Sequence, residues 1–222
     1  MVYGLNIVTP YDYNIGSEPL DGNLDEAARS VDRTPDGGAG LGGFRCGRSV
    51  KPELMPTKMR WQGGLRKIPD FDNSHCINVS EQAKAIFESF EPGVHQFIPV
   101  DYYNGKSQLL EKRYFMIPCN RIDSLDHERT TFVLKHYPHL SRWVPVADLV
   151  RWGEADLIPP HLPHDIQSKF VFNSAQIGRH HMWCDKFGPE GPWLSDEVAH
   201  AIRNAGLTGV NLNDDVSKAE TA

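Results

Sequence analysis

The chain has 222 residues, 40% of them hydrophobic and 23% charged, and these proportions exclude a disordered, collagen-like or coiled-coil protein. Its formal net charge of -6 argues against nucleic-acid binding by phosphate neutralisation and favours a basic partner. No apolar run approaches the ~18 residues of a membrane span. The N-terminus has neither the basic nor the apolar region of a secretion signal, so we expect a cytoplasmic protein.

The acidic charge is concentrated at the N-terminus. Residues 1–44 contain seven acidic and two basic residues, so they carry -5 of the total -6. Glycines and prolines are frequent from residue 34 to residue 69, and this composition predicts irregular structure. We therefore expect residues 1–64 to form an acidic, irregular segment attached to the main domain.

Residues 38–43 (GAGLGG) match the G-x-G-x-x-G fingerprint of dinucleotide-binding proteins. That fingerprint requires a buried strand before it and a helix after it, because the helix N-terminus holds the pyrophosphate. The preceding residues are polar, and Pro52 and Pro56 interrupt any following helix. We therefore expect no dinucleotide and no other cofactor.

The next elements are a helix and a long hairpin. Apolar residues recur at helical spacing after Ser80, which predicts a helix over residues 80–90 with Ser80 as its N-cap. Two β-rich runs, VHQFIPVDYY and KRYFMIPCNRI, flank a turn at Asn104 and Gly105, and this pattern predicts a hairpin. Pro99 and Pro118 favour edge or bulge positions within it.

The second half of the chain predicts strands at residues 131–134, 169–172 and 180–185 and a short helix at 146–152. Ser195 opens a last amphipathic helix that Gly206 closes, and a strand is predicted at residues 207–212. The V-S-E and L-S-D helix openings and the closing Gly-Val strands indicate two similar helix–strand units. We expect an α+β fold with a mainly antiparallel sheet, an irregular N-terminal segment, and a frayed tail at residues 213–222.

Candidate ligands and catalytic groups are present without a complete signature. The four cysteines are scattered without a C-x-x-C pair, so free thiols are expected. His136 with His139 and His161 with His164 repeat an H-x-P-H pattern, but the proline prevents either pair from lying on one helix. A small metal-dependent hydrolase built on these pairs is one alternative function, although we expect loop histidines and no metal site.

One acid cluster has a defined spacing. Asp123 and Asp126 follow a predicted strand and could form an acid–base pair, but turn capping by aspartate is more common. No nucleophile elbow, H-E-x-x-H motif or P-loop is found in the sequence. We therefore predict that the protein is not an enzyme.

Tryptophans and tyrosines are frequent in the second half, with Trp143, Trp152, Trp183, Trp193 and Tyr137 among them. Core packing explains most of these rings. The remainder favour a protein interface, and an adaptor domain that binds a partner protein through them is the other alternative function.

The order of several motifs resembles the eleventh family of bacterial polymorphic-toxin immunity proteins, formerly a domain of unknown function. The motifs are an Ile-Pro-Asp segment at 68–70, an S-E helix start at Ser80, a P-G-V-H-Q-F-I-P-V strand at 92–100, an I-D-S-L-D turn at 122–126, a G-R-H-H-M-W strand at 178–183, and an L-S-D helix followed by A-G-L-T-G-V at 194–210. They cover residues 65–212, which we take as the immunity-family-like domain.

The resemblance implies an immunity protein without catalytic residues that binds and neutralises a cognate toxin effector, often of a type VI or Rhs-type system. An acidic protein suits a basic toxin such as a nuclease, because opposite charges accelerate encounter. From their charge we select Glu18, Asp21, Asp25 and Glu26 as toxin-contact candidates, with a merely solvated acidic arm as the alternative.

Overall fold

The computed structural model describes residues 1–8, 16–31, 43–63, 67–138, 140–188, 191–212 and 219–221. Its helices are α1 (Leu24–Arg29), α2 (Glu81–Phe90), α3 (Val146–Arg151), α4 (Ser174–Ile177) and α5 (Asp196–Asn204). Its strands are β1 (Val2–Gly4), β2 (Asn6–Ile7), β3 (Ser17–Pro19), β4 (Lys58–Trp61), β5 (Phe71–Asp72), β6 (Asn78–Val79), β7 (Gln96–Tyr103), β8 (Leu109–Ile117), β9 (Arg121–Ile122), β10 (Phe132–Tyr137), β11 (Leu140–Pro145), β12 (Phe170–Phe172), β13 (Met182–Asp185), β14 (Trp193–Ser195), β15 (Val210–Asn211) and β16 (Ala219–Thr221).

Two sheets organise the described residues. The larger has the order β3-β4-β7-β8-β6-β5, and the smaller has the order β1-β14-β13-β9. Most neighbouring strands are antiparallel; β4 with β7 and β13 with β9 are parallel. The predicted α+β fold with a mainly antiparallel sheet is therefore confirmed. No helix in the described part of the chain is long and apolar enough to cross a membrane.

The predicted hairpin forms the centre of the larger sheet as β7 and β8. Pro99 lies opposite Tyr114 in this pair. On the other side of β7, β4 begins to pair only at Asp101, whose N–H donates to the Thr57 carbonyl. Pro99 thus occupies a locally open edge, where its missing N–H leaves no ladder hydrogen bond unmade.

The two helix–strand units are confirmed and begin in the same way. Ser80 caps α2 by accepting from the Ala83 N–H, and Ser195 caps α5 by accepting from the Val198 N–H. The backbone angles of the two caps nearly coincide: φ is -69° at both, and ψ is 165° at Ser80 and 163° at Ser195. The helices contact each other, and Phe87 of α2 lies in the same buried cluster as Val198 of α5.

In the described part of the N-terminal segment the elements are short, and its strands are built into both sheets. β1 pairs with β14, and Tyr3 and Leu5 belong to the buried cluster around α2 and α5. β3 and β4 complete one side of the larger sheet, and Met59 and Trp61 of β4 are buried. Strands from both sides of the boundary predicted between residues 64 and 65 therefore share sheets.

Other differences from the sequence predictions concern short strands. β11 was not predicted, although all six of its residues pair with β10 in one hairpin. The strand predicted at 180–185 is two residues shorter in the structure, where β13 begins at Met182. Within the tail expected at residues 213–222, the backbone of Ala219–Thr221 pairs in parallel with β12.

Candidate interaction surfaces

Glu91, immediately after α2, is a buried carboxylate surrounded by donors. Its Oε2 lies 2.8 Å from His95 Nε2 and accepts from the Met182 N–H at 2.8 Å, and its Oε1 accepts from Asn120 Nδ2 at 2.9 Å. His95 Nδ1 accepts from the Cys119 N–H, so the His95 proton lies on Nε2 and is donated to Glu91. Burial raises the pKa of Glu91, but these hydrogen bonds outweigh it and hold the pKa below the ordinary range. Glu91 therefore joins α2 to β13.

A second buried carboxylate, Asp185, occupies the end of β13. Its oxygens accept from the Ser124 N–H and hydroxyl, the Phe187 N–H and Trp143 Nε1, at 2.8–3.2 Å. Burial raises its pKa despite these donors. Neither buried acid was predicted from the sequence, because each accepts from donors in distant parts of the chain, such as Met182 for Glu91 and Ser124 for Asp185.

The acid pair after β9 does not form a shared site. Asp126 Oδ1 accepts from the backbone N–H groups of Glu128 and Arg129, at 3.0 Å each. Asp123 Oδ1 lies 2.8 Å from His127 Nε2. Turn capping, which the sequence favoured for these acids, is therefore the role of Asp126.

The described histidines of the H-x-P-H pairs show no metal geometry. In the described ranges, no group of three or more His, Cys, Asp or Glu side chains is placed to hold a metal ion. His136 Nδ1 lies 2.7 Å from Ser141 Oγ, and His181 Nδ1 lies 2.9 Å from Ser195 Oγ. His139 and most of the glycine motif at 38–43 lie outside the described residues.

The cysteines are free thiols, as predicted. Cys46, Cys76 and Cys184 are buried, and Cys119 is half-buried. Burial raises the pKa of the Cys184 thiol to about 12, so its reactive thiolate is scarcely populated at neutral pH.

Two of the four predicted toxin-contact acids join β3 to β4 or to the residues just before it. Glu18 Oε1 forms an ion pair with Arg60 at 2.6 Å across β3 and β4. Asp21 accepts from the Thr57 hydroxyl and from the N–H groups of Thr57 and Lys58, at 2.6–3.0 Å. Burial raises the pKa of Asp21, but these hydrogen bonds outweigh it and lower the pKa overall. These contacts fix the connection between β3 and β4.

The other two acids, Asp25 and Glu26, are exposed in the first turn of α1. Asn23 caps this helix by accepting from the Glu26 N–H at 3.0 Å, and its side-chain amide donates to Glu26 Oε2 at 3.4 Å. Neither carboxylate forms an ion pair with a basic residue in the ranges that the structure describes. Their charges are therefore available to an outside partner.

Most of the aromatic rings are in the core, as predicted. Trp143, Trp183, Trp193 and Tyr102 are buried. Trp152, the residue after α3, has 45% of its surface exposed. Among the tryptophans, Trp152 is thus the ring that can contact a partner.

Comparison with known proteins agrees with the order of motifs. The model of an immunity protein family, described as "Immunity protein family (Imm11)", matches residues 23–217. A search of curated proteins finds no match. The matched range begins well before the first motif at residue 68, so it includes Asp25 and Glu26 but neither Glu18 nor Asp21.

Proposed function

Because the chain belongs to the Imm11 family of immunity proteins, we propose that it binds and neutralises one cognate bacterial toxin effector. The family match over residues 23–217 is the observation that carries this proposal. We propose that the effector is delivered by a type VI or Rhs-type system during interbacterial competition. Neutralisation then takes place in the cytoplasm of the protected cell.

The proposed mechanism is stoichiometric occlusion without catalysis. Among the described residues, the buried acids Glu91 and Asp185 are occupied by structural donors, and the Cys184 thiol is held in its unreactive form. These groups support the fold and are not arranged as a nucleophile with a base. A protein of this kind blocks the toxin by covering its active site or the approach of its substrate.

Exposed negative charge supports a basic toxin, such as a nuclease, as the partner. Asp25 and Glu26 lie side by side in the first turn of α1, and the chain as a whole has a net charge of -6. Such charges act over about one Debye length, so they accelerate encounter more than they hold the complex. Glu18 and Asp21, which stabilise the β3–β4 connection, are further candidates for contact with the toxin.

The proposal is tested by co-expression with the toxin gene next to the gene for this chain. Cells that carry the toxin alone should stop growing, and cells that also carry this protein should grow normally. The purified pair should form a 1:1 complex, measured by light scattering after size exclusion. Equal killing with and without this protein would refute the function.

The role of Asp25 and Glu26 in recognition is tested by association kinetics with a catalytically inactive form of the same toxin. The double variant Asp25→Asn/Glu26→Gln should lower the association rate several-fold at low salt, with a smaller effect at physiological salt. The matched control is Glu128→Gln/Asp165→Asn, which removes the same charge from exposed positions elsewhere. If both double variants associate like the wild type, Asp25 and Glu26 do not contribute to recognition.

A further inference from the structure

One surface beside the β10–β11 hairpin combines half-buried side chains with the exposed Trp152 ring. It is formed by Lys135 and Tyr137 of β10, Arg142 of β11 and Trp152 after α3, and we call it the aromatic–guanidinium patch. Lys135 and Arg142 lie directly opposite each other in the β10–β11 hairpin. Like charges in this position destabilise a hairpin, and the Lys135–Glu154 ion pair offsets part of that repulsion.

The rings hold the arginine in a defined position. The Arg142 guanidinium carbon lies 5.3 Å from the centre of the Tyr137 ring and 6.0 Å from that of Trp152. Its Nη2 also donates to the Tyr137 hydroxyl at 3.3 Å. These distances are typical of cation–π contacts, which order the side chain before any partner arrives.

The two cations of the patch, Lys135 and Arg142, differ in whether a carboxylate pairs with them. Lys135 forms an ion pair with Glu154. Arg142 has no carboxylate within ion-pair distance in the described part of the chain, and its buried Nε has no hydrogen-bond partner there. In the described residues, the positive charge of Arg142 is therefore not balanced by a carboxylate, and it lies beside an exposed ring.

We propose that the aromatic–guanidinium patch anchors the toxin: Arg142 binds a carboxylate on the toxin surface, beside the Trp152 ring. An ordered, unneutralised guanidinium is complementary to a carboxylate and can bind both of its oxygens. The exposed indole excludes water from that contact, and tryptophan, tyrosine and arginine dominate the binding energy of protein interfaces.

This inference rests on the proposed function and assigns association and dissociation of the complex to two different surfaces. Asp25 and Glu26 accelerate encounter with the basic part of the toxin. The patch slows dissociation through a short-range contact with an acidic residue of the toxin. A protein partner is favoured over nucleic acid because the chain as a whole is acidic and repels phosphates.

The test compares dissociation rates from the inactive toxin of the neighbouring gene. Arg142→Gln and Trp152→Ala should each raise the dissociation rate at least ~10-fold and leave the association rate within about twofold. Arg142→Lys should not restore slow dissociation, because an ammonium cannot reproduce the bidentate contact. The matched control is Arg151→Gln, an exposed arginine of α3 paired with Asp148, which should behave as the wild type.

The outcomes separate the two proposals. If the wild type does not bind the toxin, both the function and the anchor are refuted. If the wild type binds and the Arg142 and Trp152 variants dissociate at its rate, only the anchor is refuted. Lower association with unchanged dissociation would also refute the anchor, as would binding of a single-stranded oligonucleotide that Arg142→Gln abolishes. Thermal unfolding of each variant verifies that it folds.

Discussion

Replacing Glu91 with glutamine tests whether one buried carboxylate holds α2 against β13. The carboxylate accepts three hydrogen bonds, two at Oε2 and one at Oε1. A glutamine oxygen can replace Oε2 and accept from His95 and the Met182 N–H. Its amide nitrogen then faces the Asn120 amide nitrogen, so two donors meet in a buried site.

The expected loss follows from these contacts. A hydrogen bond to a charged group contributes roughly 1.5–3 kcal/mol, and a neutral one roughly 0.5–1.5 kcal/mol. The variant loses the bond from Asn120 and weakens the bonds from His95 and Met182. The lower cost of burying a neutral group offsets part of this, so we expect the free energy of unfolding to fall by about 2–4 kcal/mol.

The measurement is urea denaturation at pH 7, with thermal unfolding as a second readout. A loss of this size lowers the midpoint of thermal unfolding by roughly 5–12 °C for a chain of this length. Glu128→Gln is the control, because Glu128 is exposed and should change stability by less than about 0.5 kcal/mol. The reasoning fails if Glu91→Gln is as stable as this control.

Three further predictions concern the same fold. Because the pKa of Glu91 is lowered on folding, its contribution to stability is complete above the unfolded-state pKa of about 4.3 and is lost as pH falls through the folded-state pKa. The difference in free energy of unfolding between wild type and Glu91→Gln should therefore narrow below pH ~4. A constant difference down to pH 3 would contradict this. Deletion of residues 1–8 should destabilise the protein by several kcal/mol, because Val2, Tyr3 and Leu5 are buried and each contributes roughly 1.5–3 kcal/mol; a truncated chain with unchanged denaturation would show that the segment is dispensable. Ser195→Ala should lower the free energy of unfolding by about 1 kcal/mol through loss of the α5 cap, measured by urea denaturation, with Ser195→Gly losing less.

The elements that were predicted correctly depend on neighbours in the sequence. A serine that caps a helix bonds to an N–H three residues later, so Ser80 and Ser195 could be recognised without knowledge of the fold. The β7–β8 hairpin likewise pairs residues on either side of one short turn. The contacts of Glu18 and Asp21 with Arg60 and Thr57 could not be predicted in this way, because the partners lie about forty residues away in the sequence.

The short strands and the buried acids could not be predicted in this way. A strand of two or three residues has too few positions to show an alternating pattern. β1 becomes a strand because β14, nearly two hundred residues later, offers it a free edge. The acidic, glycine-rich composition of the N-terminal segment also concealed the alternation of Met59 and Trp61, which are buried in β4.

The sequence by itself determined the α+β class, the two capped helices, the central hairpin and the motif order of an immunity protein, because each of these depends on local spacing. Only the tertiary structure decided which charges and rings face outward. Trp143 and Trp152 are nine residues apart in the sequence. Trp143 is buried and donates a hydrogen bond to Asp185, whereas Trp152 is half exposed beside Arg142. Exposure depends on contacts between distant segments, and recognition of a partner depends on exposure.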